Sequence, residues 1–234
     1  MIDLSTHYMG FHLKNPVIAA SSGLTNSADN IKLLEAHGAA AVVLKSLFEE
    51  EINNDFNKML SINEFSYTES IDYLRHAVRD RTMDKYLTLI EESKKAVNIP
   101  VIASINCVSA DDWTSFARKI EDAGADGLEL NISLLPSDVR QTGETYEKLY
   151  FDIIEKVHDE TKLPLAVKMS HYSAGLANLI QKISWTQQVS GIVLFNRYFQ
   201  PDIDLKKMEI VPVNVYSHPG EISTSLRWIA IMAG

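Results

Sequence analysis

Ala41-Val42-Val43-Leu44-Lys45-Ser46, Gly127-Leu128-Glu129-Leu130-Asn131, Leu165-Ala166-Val167-Lys168 and Gly191-Ile192-Val193-Leu194-Phe195-Asn196 are four short, largely apolar runs, each ending on a polar residue. Short runs rich in Val, Ile and Leu read as strands buried on both faces. In a parallel barrel all strand C-termini open onto one face, and that face holds the chemistry. Lys45, Asn131, Lys168 and Asn196 are therefore expected to converge on one ligand. Two amines and two amides suit a ligand that is anionic and rich in hydrogen-bond acceptors.

Strand and helix signals alternate on either side of these runs. A hairpin-like start pairs Leu4–Tyr8 with Phe11–Lys14 across Gly10. Pro16–Ala20 reads as a first buried strand, and Ser27 caps a helix over Ala28–Ala36 that Gly38 closes. Ala41–Lys45 follows as a strand. Residues 47–82 are polar and acidic without clear period, which predicts a long loop with short helical pieces. Helical spacing predicts a helix over Met83–Val97. Pro100–Ile105 is a strand, Ala110–Ala123 a helix capped by Ser109 and ended by Gly124, and Asp126–Asn131 a strand. A helix over Tyr146–Val157 places Leu149, Ile153, Ile154 and Val157 on its inner face. Leu163–Met169, Leu176–Val189 and Ile192–Asn196 continue as strand, helix and strand. Residues 197–222 read as a loop or hairpin and Ser225–Met232 as a helix.

This alternation predicts an α/β fold with a parallel sheet covered by helices. The type is a (β/α)8 TIM barrel with about six of its eight units, in a single incomplete barrel domain over residues 1–234. Six strands would leave two open edges, so self-association as a homo-oligomer, binding of a complementary chain or instability is expected.

The chain has 234 residues, of which 46% are hydrophobic, enough for a sizeable core. Its net charge of −9 argues against a nucleic-acid or membrane-surface footprint. No apolar run approaches the roughly 20 residues of a membrane span. One cysteine, Cys107, permits no intrachain disulfide, and the start lacks a signal-peptide pattern, so a cytoplasmic location is expected. The histidines show no metal-ligand spacing, and no metal site is expected.

Read in order, Asn15-Pro16-Val17-Ile18-Ala19-Ala20-Ser21-Ser22-Gly23, Leu44-Lys45-Ser46, Glu129-Leu130-Asn131-Ile132-Ser133, Ala166-Val167-Lys168-Met169 and Phe195-Asn196 carry a resemblance to the dihydroorotate dehydrogenase family, in its cytosolic, class 1 branch. The resemblance spans nearly the whole chain, which looks like the first three quarters of the family barrel. It implies a flavoprotein oxidoreductase that uses FMN to oxidise (S)-dihydroorotate to orotate in pyrimidine biosynthesis. By position it implies that Ala20, Ser21 and Gly23 let backbone approach the flavin ring. Lys45 would sit near flavin and substrate carboxylate. Ser46, Asn106 and Asn131 would hydrogen-bond flavin or substrate, and Lys168 would lie by flavin N1. Asn196 and Asn63 would join Lys45 and Asn131 in binding substrate.

One departure stands out. The family's base, a Cys or Ser after the fourth strand, falls here on Leu134, and the asparagine two residues on falls on Pro136. Leucine cannot accept a proton, so Ser133 and Ser137 are the candidate catalytic bases. The last two β-α units, with the family's glycine-rich phosphate donors, also have no counterpart in the chain. The alternative reading is a flavin- or ligand-binding paralogue, non-catalytic or of altered specificity, or an inactive truncated product. Bland readings stand beside each residue: Lys45 and Lys168 as solvated strand ends, Asn131 and Asn196 as turn caps, Ser21-Ser22-Gly23 as a strand-to-helix turn.

Overall fold

The structure, a computed structural model, describes residues 2–48, 68–106, 110–132, 134–197, 201–212 and 217–233. Strands β1 (Thr6–Tyr8) and β2 (Phe11–Leu13) form an antiparallel hairpin. Its two turn residues, Met9 and Gly10, both have positive φ, 51° and 81°. A two-residue turn of this hand matches the right-handed twist of the strands it joins.

The central sheet contains β3 (Ile18–Ala19), β4 (Ala41–Val43), β5 (Leu47–Phe48), β6 (Val101–Asn106), β7 (Gly127–Asn131), β8 (Leu165–Met169) and β9 (Gly191–Leu194). Every pairing is parallel, in the order β3-β4-β6-β7-β8-β9. Short β5 pairs with the C-terminal end of β6, a strand beyond the expected six. Around the sheet run α1 (Ala28–Ala36), α2 (Thr68–Ala96), α3 (Ala110–Asp122), α4 (Gly143–Glu160), α5 (Leu176–Trp185) and α6 (Ile222–Met232). The fold is α/β, a curled parallel sheet with helices outside, and forms part of a β/α barrel.

Strand period separates two faces. Val42, Leu44, Val101, Ala103, Ile105, Leu128, Leu130, Leu165, Val167 and Met169 face the helices and form the main core with Ile90, Trp113, Phe116, Ile120, Ile154 and Ile183. Val43, Ile102 and Ala166 point the other way and pack on Met9 of the N-terminal hairpin. The hairpin thus closes the N-terminal end of the concave face. Gly127 and Gly191 leave room for it: a Cβ on Gly191 would lie 2.9 Å from Tyr8 Oη, and one on Gly127 would lie 3.0 Å from Met9 Cε.

Local signals place most helix ends as expected. Ser27 Oγ accepts from the Asn30 N–H, and Gly38 follows α1 with φ of 103°. Three expectations are corrected. Within the loop expected over 47–82, Leu47–Phe48 is strand β5 and residues 68–82 belong to α2. Its first half lacks a sequence stripe but docks through buried Val78 and through Arg79, whose guanidinium lies 5.0 Å from the centre of the Phe116 ring. Helix α4 starts at Gly143, capped by Thr142, and turns Tyr150, Ile154 and Val157 inward, while Leu149 is exposed. The C-terminal helix starts at Ile222 rather than Ser225. Between β9 and α6, β10 (Pro201–Asp204) and β11 (Glu209–Pro212) form the second of the expected alternatives, a hairpin.

Candidate functional site

The site lies on the concave face at the C-terminal ends of β6, β7 and β8. It begins with a break between β4 and β5. Leu44 N–H still bonds Ile102 O at 2.9 Å, but Lys45 N–H turns away to Thr25 O at 3.1 Å. That leaves Ser104 of β6 without a strand neighbour on this side. Tyr86, from α2, fills the gap: its hydroxyl accepts from Ser104 N–H at 2.8 Å and donates to Ser104 O at 2.9 Å. Burial holds the Tyr86 phenol well above its ordinary range, the Ser104 bond opposes this, and the charge of Glu129 adds to it.

The kink turns Ser46 inward. Ser46 Oγ lies 2.7 Å from Ser104 Oγ and 3.1 Å from Ser21 Oγ, and Ser46 N–H donates to Ser21 Oγ at 2.9 Å. Ser104 Oγ donates to Glu129 Oε1 at 3.0 Å. Lys168 Nζ donates to the same oxygen at 2.6 Å, with 12% of the lysine side chain and 5% of the glutamate side chain exposed. Five side chains from the β3, β4, β6, β7 and β8 ends are therefore linked across the inside of the sheet. A carboxylate buried in this way requires a paired cation and hydrogen-bond donors, and it has both. Its charge reaches the N-terminal hairpin, where burial first and Glu129 second push the Tyr8 phenol up to about 12.

One layer further toward the strand ends, Asn106 Nδ2 donates to Asn131 O at 2.8 Å, and Asn131 stands beside Lys168 in the β7–β8 register. Asn131 is buried, and its Oδ1 has no hydrogen-bond partner. A buried acceptor without a donor marks a place where a ligand N–H or O–H fits. Ala20 and Gly23 are exposed at the edge of this face, and a Cβ on Gly23 would meet nothing within 4 Å. Ser22 caps the one-turn 3-10 helix Gly23–Thr25, so the Ser21-Ser22-Gly23 segment is a strand-to-helix turn that also supplies Ser21 to the inner chain.

Of the residues expected to converge, Ser21, Ser46 and Lys168 share one hydrogen-bonded chain, and Asn106 and Asn131 lie directly above it. Lys45 is half-buried at the β4 kink. Asn196, whose N–H bonds Met169 O at 2.8 Å, lines a cavity of about 730 Å³ at the ends of β8 and β9 with His171, Tyr172, Phe195 and Arg197. Here the His171 and Phe195 ring centres lie 5.6 Å apart. Ser137 is exposed, on a loop where Leu134 and Pro136 line a different cavity of about 210 Å³, against α4 and the start of α5. Leu134 packs against the outer core. Asn63 and Ser133 lie outside the described residues.

Glu129, Ser104 and Tyr86 are absent from the sequence expectations. Two of them had a signal: Glu129 and Ser104 each precede an expected site asparagine by two positions, so strand period places them on its face. Tyr86 lies within the helix expected over Met83–Val97 but carries no signal of its own, since its role depends on a kink in a distant strand. Among the described residues, no group of three metal-ligating side chains stands together, and no helix is long and apolar enough to cross a membrane.

Comparison with known proteins adds the remaining findings. A model of the dihydroorotate dehydrogenase family matches residues 3–230. The chain is 26% identical over 218 residues to the catalytic subunit of dihydroorotate dehydrogenase B (NAD(+)) from Thermoplasma volcanium, covering 92% of this chain and 69% of that protein. The corresponding subunit from Thermoplasma acidophilum is 27% identical, with the same coverage. Dihydroorotate dehydrogenase A (fumarate) from Lactobacillus delbrueckii subsp. bulgaricus is 23% identical over 212 residues, covering 88% and 67%. Among solved structures, dihydrodipicolinate synthase from Oceanobacillus iheyensis matches with a TM-score of 0.47 and 15% identity, over 77% of this chain and 53% of that one. The chain thus spans about half the length of that structure.

Proposed function

This chain belongs to the dihydroorotate dehydrogenase family, and from that premise we propose that it is an FMN-dependent oxidoreductase whose concave face binds the flavin ring and oxidises a dihydroorotate-like substrate to orotate, as a step of pyrimidine biosynthesis in the cytoplasm. The observation that carries the reading is the unsatisfied, buried Asn131 Oδ1 beside Lys168. The imide N–H of a flavin is a donor of the kind that oxygen lacks. Lys168 keeps ammonium protons beyond the one given to Glu129, and Ser21, Ser46 and Asn106 add polar groups of both kinds on the same face. The open space at Gly23 allows backbone to approach a planar ring there.

Bound FMN supplies a two-electron acceptor. The chain's own residues would hold the substrate through Lys45, Asn63, Asn131 and Asn196, and Ser133 or Ser137 would take the substrate proton. The exposed apolar side chains of Ile203, Leu205, Met208 and Ile210 on the β10–β11 hairpin, and of Ile222, Leu226 and Ile229 on α6, support self-association into a homo-oligomer.

The second reading is a flavin-binding paralogue without this turnover. It is favoured by Leu134, which occupies the position of the family base and packs outward against the core. Flavin fluorescence quenching on titration of the 234-residue chain, followed by anaerobic addition of dihydroorotate, separates the readings. Quenching followed by loss of the yellow absorbance supports the oxidoreductase. Quenching without bleaching supports the paralogue, and absence of quenching rejects both.

A further inference from the structure

The hydroxyl chain has a direction that its distances impose. A serine hydroxyl has one proton to give. Ser104 gives its proton to Glu129 Oε1. The 2.7 Å contact between Ser46 and Ser104 must then be a donation from Ser46. With that proton committed, the 3.1 Å contact between Ser21 and Ser46 must be a donation from Ser21. All three hydroxyl dipoles therefore point their positive ends toward Glu129, and Lys168 meets the same oxygen from the other side. Donors thus reach the same Glu129 oxygen from both directions, and no second cation is paired with it among the described residues.

From this we infer that Glu129 is the charge-setting, positioning residue of the site: it fixes the Lys168 ammonium at the floor of the concave face and cancels its charge, so that the face prefers a neutral hydrogen-bonding ring over an anionic one. The inference rests on the flavin reading above. It adds a consequence that Lys168 alone does not give. An isolated buried ammonium would favour the reduced, anionic flavin; the paired one favours the oxidised, neutral ring. Removing the carboxylate charge while keeping its shape would release the ammonium's field. At an effective dielectric of about 20, one unit charge several ångströms from the ring is worth about tenfold or more in relative affinity.

The test compares oxidised FMN with chemically reduced FMN, titrated anaerobically into the 234-residue chain and into Glu129→Gln and Glu129→Asp. Glu129→Gln should raise the ratio of reduced to oxidised affinity by about tenfold or more. Glu129→Asp, which restores the charge, should bring the ratio back toward the parent value, a rescue that a merely structural role would not produce. An unchanged ratio in Glu129→Gln overturns the inference. If the parent binds neither flavin, the flavin reading fails by itself, and charge cancellation is decided without a ligand. Urea unfolding of Lys168→Met, Glu129→Gln and the double variant then supplies the measurement. A double variant more stable than Lys168→Met supports cancellation, because the single variant strands a buried carboxylate. A double variant no more stable than Lys168→Met overturns it.

Discussion

The Tyr86 hydroxyl both accepts from Ser104 N–H, at 2.8 Å, and donates to Ser104 O, at 2.9 Å, so a helix side chain stands in for the missing strand residue between β4 and β5. The substitution matters for the site. It lets β4 peel away toward Thr25 without leaving β6 unsatisfied, and the peel is what brings Ser46 to Ser104. Tyr86→Phe should therefore leave two buried backbone groups without partners, at about 1–3 kcal/mol each before relaxation. A loss of about 2–3 kcal/mol is expected in urea unfolding, with the denaturant slope unchanged.

Alkaline pH should weaken the fold through the phenols of Tyr8 and Tyr86. Both are held above the ordinary value of 10.0, Tyr8 at about 12, chiefly by burial. Between pH 10 and 12 the unfolded chain releases these protons while the folded chain keeps them. The Tyr8 contribution is therefore complete below pH 10 and is lost as pH rises through 12, while that of Tyr86, raised further, is lost at higher pH still. For partly exposed Tyr8 the loss is on the order of 1 kcal/mol after allowance for solvent screening. Melting temperatures measured from pH 8 upward should fall more shallowly in Tyr8→Phe; an identical slope would remove Tyr8 from the account.

Two glycines on the concave face should respond unequally to a methyl group. In Gly191→Ala the new Cβ meets Tyr8 Oη at 2.9 Å and Met9 Cγ at 3.0 Å, so the closing hairpin must shift as a unit. A cost of about 1–3 kcal/mol follows from overpacking. In Gly127→Ala the nearest atom is Met9 Cε, the far end of a flexible side chain, with Pro164 O next at 3.3 Å. Thermal unfolding of both should rank Gly191→Ala as the more damaging, and loss of order in the hairpin amides by hydrogen exchange should accompany it.

For the proton-accepting step, Ser133→Ala is expected to slow anaerobic flavin reduction by dihydroorotate by about 10²–10⁴-fold if that serine is the base. Ser137 is exposed, in a loop whose Leu134 and Pro136 line a cavity outside the concave face. Ser137→Ala should therefore cost less than Ser133→Ala. Stopped-flow reduction rates of the two variants decide between them, and equal parental rates in both would exclude either serine as the base.

The alternation of apolar strands and capped helices was legible in the chain because each signal is local. Strand runs such as Ala41–Val43 and Gly127–Asn131 need only their own composition, and the α1 boundaries need only Ser27 and Gly38. Side-chain period and parallel direction together place Asn106, Asn131 and Lys168 on one face, whereas Asn196 lines a separate cavity and Ser46 reaches that face only through the β4–β5 kink. The fold decided what those residues touch. The Lys168–Glu129 pair joins residues on adjacent strands whose register no single segment encodes, and the Tyr86–Ser104 bonds join a helix to β6, across 18 positions, at the gap that the β4–β5 kink leaves. The first half of α2 escaped notice for the same reason: contacts such as Arg79 over Phe116, made only after collapse, hold it where an apolar stripe is lacking. Local pattern acts over a few residues through backbone geometry. Charge pairing and satisfaction of buried polar groups act through space, and only the folded chain brings their partners within 3 Å.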